Sequence, residues 1–287
     1  MDGTHGTRTD PQAEQDRRRR LARRRLFALA AMLVIVVAAV LAVALSGGGK
    51  AGALPSGQLR VAGVVVDLSI RKAPPRPTAK HPLKIYFGGD SLTGYPINEL
   101  TKLAVADGRM KVVGDYQVGS RLCGNVPVNW PARFRAKLAA IHPGAVVFLI
   151  GANDGGWPIT VNGTSYAFWS KGWVTAFRKI VGGMMDNAIK AGVQRFYWIG
   201  MPIMKPGKYP SSDQMKRLNY TFRYEAGVHS VNVEYIDIWG LLATKDGKYD
   251  PRWRSPDAQG AHLNTAGAHR IAVKVMAAIK HDWLPPQ

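Results

Sequence analysis

The sequence predicts a doubly wound, flavodoxin-like α/β domain with a parallel sheet of about five strands, preceded by one N-terminal transmembrane helix. Three observations carry this. From residue 83 onward, short apolar runs alternate with longer segments of helical spacing, the pattern of β-α-β units. One of those runs, "AVVFLI", is apolar on both faces, as a central strand covered by helices on either side must be. Far upstream, residues 26–45 form an uncharged apolar run, about the length that crosses a hydrocarbon core of roughly 30 Å.

The strands are expected at 83–87, 111–118, 145–150, 195–200 and 233–238. Helices are expected at 98–106, 131–141, 174–191, 214–228 and 265–281. Asn129 is placed to cap the second helix, with Pro131 in its first turn, where a missing N–H costs nothing. The segment "LRVAGVVVDLSI" at 59–70 reads as one further strand before a proline-rich break. With 46% hydrophobic residues, 31 Gly and 18 Pro, the chain has a globular composition with long loops. Its one cysteine, Cys123, excludes an intrachain disulfide and a cysteine-based zinc site and reads as a small buried hydrophobe.

Arginines at 17–20 and 23–25 immediately precede the apolar run. Such a flank stays in the cytoplasm, so the chain after Leu45 is expected outside it. The resulting division is a basic cytoplasmic tail at 1–25, an anchor at 26–45, an extracytoplasmic linker at 46–82 and the main domain at 83–287. The rival is a cleaved signal peptide, for which Ala42-Val43-Ala44 and Ala51-Gly52-Ala53 offer small-residue sites; the domain would then be secreted. The net charge is +20, of which residues 1–25 hold only +4. Outside the cytoplasm the excess reads as a solvated surface, or as attraction to anionic membrane or wall polymers, rather than as a nucleic-acid site.

Chemistry in such sheets gathers at the carboxyl ends of strands. "GGDSLTG", "VGSRLCGN" and "GANDGG" all fall there. Ser91 is the candidate nucleophile, and Asn153 offers a side-chain NH₂ to an oxyanion. Asp154 reads as holding its loop by accepting backbone N–H bonds. His262, in "DAQGAHLN" just before the last helix, is the candidate base. His269 reads as surface or packing, Asp237 as structural, and the remaining histidines suggest no metal site.

In this order, "GGDSLTG", "GAND" and "DAQGAHLN" resemble blocks I, III and V of the SGNH (GDSL-type) hydrolase superfamily. "VNWPARF", "VVFLIGAND", "YWIGMPIM", "LNYTFRYEA" and "YIDIWGLLATKDGKYD" are similar to an envelope-associated bacterial branch of it, over about residues 83–282. The resemblance implies a catalytic Ser91 and His262. It also implies an oxyanion hole of the Ser91 N–H, the Asn153 side chain and a block II glycine, taken as Gly119 with Gly124 as the fallback. Where the superfamily has Asp three residues before the histidine, this chain has Gln259; Asp257, two residues earlier, is taken as the orienting acid. The alternatives are a dyad completed by a backbone carbonyl, or impaired catalysis.

The implied activity is a serine esterase acting on O-acyl esters, with acetylated envelope glycans as substrates. The alternatives are an O-acyltransferase with the same residues, partnered by a membrane acyltransferase, and a non-catalytic glycan-binding protein. No cofactor is called for. Trp157, Trp169 and Trp173 are expected either to line a sugar site or simply to anchor their loop.

Overall fold

The computed structural model describes residues 74–124, 127–257 and 259–284, with the backbone of 58–61 and 64–67. They fall into two units, one before Ile70 and one from Ile70 onward. The described part of the first is a hairpin of β1 (Gln58–Val61) and β2 (Val64–Asp67), antiparallel, with Val61 opposite Val64. The single strand expected at 59–70 is therefore two, because the chain reverses between Val61 and Val64. The expected anchor at 26–45 lies outside the described residues. Among those described, no helix is long and apolar enough to cross a membrane.

The second unit runs β3 (Leu83–Gly89), α1 (Gly94–Asp107), β4 (Met110–Tyr116), α2 (Trp130–Ile141), β5 (Ala145–Leu149), β6 (Ile159–Val161), β7 (Thr164–Tyr166), α3 (Lys171–Lys190), β8 (Arg195–Ile199), α4 (Ser212–Val228), β9 (Val233–Ile236) and α5 (Thr265–Trp283). Five strands form one all-parallel sheet in the order β4-β3-β5-β8-β9. This is the flavodoxin-like order, whose chain reverses direction between its first and third strands. All five expected strands and all five expected helices of the body are present, with ends shifted by a few residues. The hairpin β6–β7 was not expected. Asn162 and Gly163 both take positive φ, 50° and 79°, as a two-residue hairpin turn requires.

Capping explains where helices begin. The Asn129 side chain accepts from Ala132 N at 3.0 Å, Ser170 from Trp173 N, and Asn264 from Gly267 N at 2.9 Å. Ser211 and Gln214 form a reciprocal capping box at the start of α4. Helix α1 packs with α5, while α2, α3 and α4 form a second row.

The two sheet faces are filled differently. Phe148, Phe196 and Trp198 stack, with centroids 5.8–6.0 Å apart. Against them lie Phe134 of α2 and Phe222 of α4. Tyr197, on the opposite face, donates to Asp282 of α5 at 2.8 Å.

Close packing accounts for the paired glycines that end β3. A Cβ at Gly88 would come within 2.8 Å of the Phe148 ring and 2.9 Å of Tyr86. At Gly89 it would collide with the Leu149 carbonyl and the Thr93 hydroxyl, which are themselves hydrogen-bonded at 2.7 Å. Gly89→Ala is expected to lower unfolding stability by at least about 3 kcal/mol, because backbone must move. Gly108→Ala, at φ 76° with open space around it, is expected to cost only about 1 kcal/mol. Urea unfolding of both variants compares them.

Candidate active site

The loops after β3, β4 and β5 meet at the carboxyl ends of their strands, and two buried carboxylates hold them there. Asp90 is fully buried. It accepts from Leu92 N at 2.9 Å, which turns the chain at Ser91, and from Gly151 N at 3.2 Å, which joins the β5 loop. Asp154, also fully buried, accepts from Leu122 N at 3.0 Å and Cys123 N at 2.8 Å, which joins the β4 loop. Burial pushes Asp90 up to about 7 and Asp154 up to about 6, against the backbone bonds that favour their charged forms. The same burial raises the Cys123 thiol far above its ordinary value.

Ser91 is partly exposed at the apex of the first loop. Its hydroxyl lies 3.0 Å from Nε2 of His262, which is 171 residues away in the chain. Nδ1 of His262 lies 3.2 Å from Asp257 Oδ2. Partial desolvation raises Asp257, but the Gly260 and His262 N–H groups and the His262 ring outweigh it and hold the carboxyl below its ordinary value.

A closed loop accommodates the unusual spacing of Asp257 and His262. Arg254 and Leu263 pair as a β-bridge, and Ser255 N donates to His262 O at 2.9 Å. Within that frame the chain turns at Gly260 (φ 62°). Asp257 accepts from the backbone of Gln259 at 2.9 Å, Gly260 at 2.5 Å and His262 at 3.2 Å. Gln259 is exposed and serves this turn through its main chain. Buried Arg254 braces the loop, donating to Ile203 O at 2.6 Å and Ala261 O at 3.3 Å. Burial lowers Arg254 to about 10. Nothing in the sequence distinguished Arg254 from a surface arginine.

The other residues expected as oxyanion donors lie on the loops after β4 and β5. Asn153 lies in a 3₁₀ turn (Ala152–Asp154), and its Nδ2 donates to Ser120 O at 2.9 Å, leaving a second N–H on the amide. Gly119 sits in the turn closed by Ser120 N donating to Gln117 O, with φ 71°. The N–H groups of Ser91 and Gly119 donate to no other described residue. Gly124 also has positive φ, at 81°, but lies beyond the Leu122 and Cys123 donors that Asp154 fixes.

Other expected residues sit elsewhere. Trp173 is fully buried, stacks on Phe177 at 4.6 Å and donates to Trp157 O, so it anchors the loop and lines no sugar site. Trp169 packs with Phe168 and Trp173, and Trp157 alone of the three is about half exposed. His269 pairs with Glu99 between α5 and α1. Asp237 accepts from Trp239 N and pairs with Arg223. His229 contacts Asp186, 43 residues away in the chain, at 3.1 Å. Among the described residues no cluster of metal-ligating side chains occurs.

A family described as "Protein of unknown function (DUF459)" matches residues 84–278. The chain belongs to this family. Its fold is that of the SGNH acylhydrolases. A lipase/acylhydrolase from Enterococcus faecalis superposes with a TM-score of 0.52 at 20% identity, over 71% of this chain and 99% of the other. A catalytic mutant of an acetylxylan esterase from Geobacillus stearothermophilus gives 0.52 at 15% identity, over 71% and 97%. No curated protein matches.

The raised carboxylates give stability a definite pH slope. Folded Asp90 and Asp154 retain protons that the unfolded chain has released above roughly pH 4, so each group's contribution is full below that value. It is lost as pH rises to about 7 and about 6 respectively. Unfolding free energy is expected to fall between pH 4.5 and 7, at up to roughly 1.4 kcal/mol per unit for each group. Urea titrations across that range measure the slope.

Proposed function

We propose that the protein is a serine esterase of O-acyl esters, exported and tethered to the membrane by residues 26–45, with an acyl-Ser91 intermediate. The observation that carries this reading is the continuous line from the Asp257 carboxylate through His262 to the Ser91 hydroxyl, with steps of 3.2 and 3.0 Å. In the proposed mechanism Nε2 of His262 takes the hydroxyl proton as Oγ attacks the acyl carbonyl. Asp257 orients the imidazole and balances its positive charge. The tetrahedral oxyanion receives the N–H groups of Ser91 and Gly119 and the second Nδ2–H of Asn153. Collapse expels the alcohol, which takes its proton from His262, and water attacks the acyl-enzyme by the reverse sequence.

Acetylated glycans of the envelope are the proposed substrates. The acetylxylan esterase of similar fold acts on an acetylated polysaccharide by its own description, and the basic charge outside residues 1–25 suits an anionic envelope. A sugar hydroxyl in place of water would make the same residues a transferase. The non-catalytic binder rested on Gln259 alone, and the Asp257 carboxylate 3.2 Å from His262 supports the esterase reading over it.

With an aryl acetate, wild type is expected to turn over and to show an acetyl adduct by intact mass. Ser91→Ala should lose at least roughly 10³-fold in kcat/KM, and Asp257→Asn roughly 10²–10⁴-fold. Gln259→Ala should change it by less than about threefold. A folded wild type that gives neither turnover nor adduct would refute the esterase. Fast acylation with slow release in water, relieved by an added sugar alcohol, would identify a transferase.

A further inference from the structure

Arg121 occupies an unusual place. The residue before it, Ser120, accepts from Asn153 Nδ2, and the residue after it, Leu122, donates to Asp154. Arg121 is thereby fixed between two anchors of the candidate oxyanion hole, two residues from Gly119. Its guanidinium lies over Trp157, 4.7 Å from the ring centroid. Trp157 is itself held at this turn, its N–H donating to Asp154 O at 3.3 Å. Beyond it, half-exposed Tyr209 donates to Gly155 O.

The guanidinium makes no ion pair and no hydrogen bond with a described residue. Arg109, Arg133, Arg178, Arg223 and Arg252 each pair with a carboxylate. Arg217, over Trp169 at 5.5 Å, has no ion pair with a described residue either, and what sets Arg121 apart is its place between Ser120 and Leu122. The neighbouring carboxylate, Asp154, has its two oxygens committed to Leu122 and Cys123. An arginine held on an aromatic face keeps the in-plane N–H edge that grips a carboxylate bidentately. Its partial burial strengthens the attraction relative to an arginine in open solvent.

We propose that Arg121, positioned by Trp157, is a carboxylate-binding subsite beside Ser91, so that the ester cleaved is carried by an acidic sugar. The inference rests on the esterase reading for its biological sense, but it concerns binding and is tested apart from turnover. A neutral acetylated glycan would leave the guanidinium unused. An acetylated uronic-acid polymer would satisfy it while its ester lies at Ser91. Salt would weaken this grip and would not affect a neutral ligand.

The experiment uses the full chain in detergent carrying Ser91→Ala, so that ligands persist. Kd is measured by calorimetry for acetylated oligogalacturonate and for acetylated xylo-oligosaccharide of equal length. The acidic ligand should bind at least about tenfold tighter at low salt. Adding Arg121→Gln should reduce that ratio to near one, and Arg121→Lys should restore it only in part. Equal or undetectable binding of both ligands would overturn the proposal. So would a ratio that survives Arg121→Gln, or one lost together with the fold as read by thermal melting. Absence of an acetyl-Ser91 adduct in wild type would refute the esterase instead, and leaves the binding ratio free to stand or fall independently.

Discussion

Asp90 and Asp154 are the constraint on which the rest of the site depends. Neither makes an ion pair with a described residue, and both are fully buried. Burying a carboxylate is costly unless backbone donors satisfy it, and here those donors belong to other loops. Asp90 ties the Ser91 loop to Gly151, and Asp154 ties the Asn153 turn to Leu122 and Cys123. Three strand ends that diverge in sequence are thus clamped into one rigid rim. Ser91, Gly119 and Asn153, the proposed nucleophile and oxyanion donors, belong to those three loops. The carboxylates do their work as acceptors and take no part in the proposed chemistry.

The sheet supplies the platform. At the carboxyl end of β3 its aromatic side chains leave no room for a Cβ at Gly88, and the Leu149 carbonyl and Thr93 hydroxyl leave none at Gly89. The strand order reverses between β3 and β5, the point in such sheets where ligands bind, and the Ser91 loop follows β3 there. His262 reaches it from the far end of the chain on a loop that Arg254 and the Arg254–Leu263 bridge stiffen. Precision at Ser91 therefore rests on two independently braced structures, the loop rim and the His262 loop.

Much of this was legible in the sequence because it is periodic. Strands buried on both faces read as apolar runs, and Asn129 and Pro131 marked a helix start. Ser91, Asn153 and His262 were visible because each follows such a run or precedes a helix in a recognisable block. What escaped detection depends on three-dimensional return paths. The Asp257 spacing looked anomalous because a turn at Gly260 folds the carboxylate back onto His262. The β6–β7 hairpin was announced by Asn162-Gly163, but its strands are too short to show alternation. Arg121 and Arg254 carry no local signal, since only their surroundings in the fold distinguish them: Arg254 is buried among carbonyls it bonds, and Arg121 lies over Trp157.

The central claim is that Ser91, Gly119 and Asn153 form one oxyanion site served by His262. A crystal structure of the chain after reaction with a phosphonofluoridate ester tests it most directly. The account predicts phosphorus bonded to Ser91 Oγ, with its phosphoryl oxygen roughly 2.7–3.1 Å from Ser91 N, Gly119 N and Asn153 Nδ2, while Asn153 keeps its bond to Ser120 O. A phosphoryl oxygen turned away from those three donors, or modification of a residue other than Ser91, would contradict it.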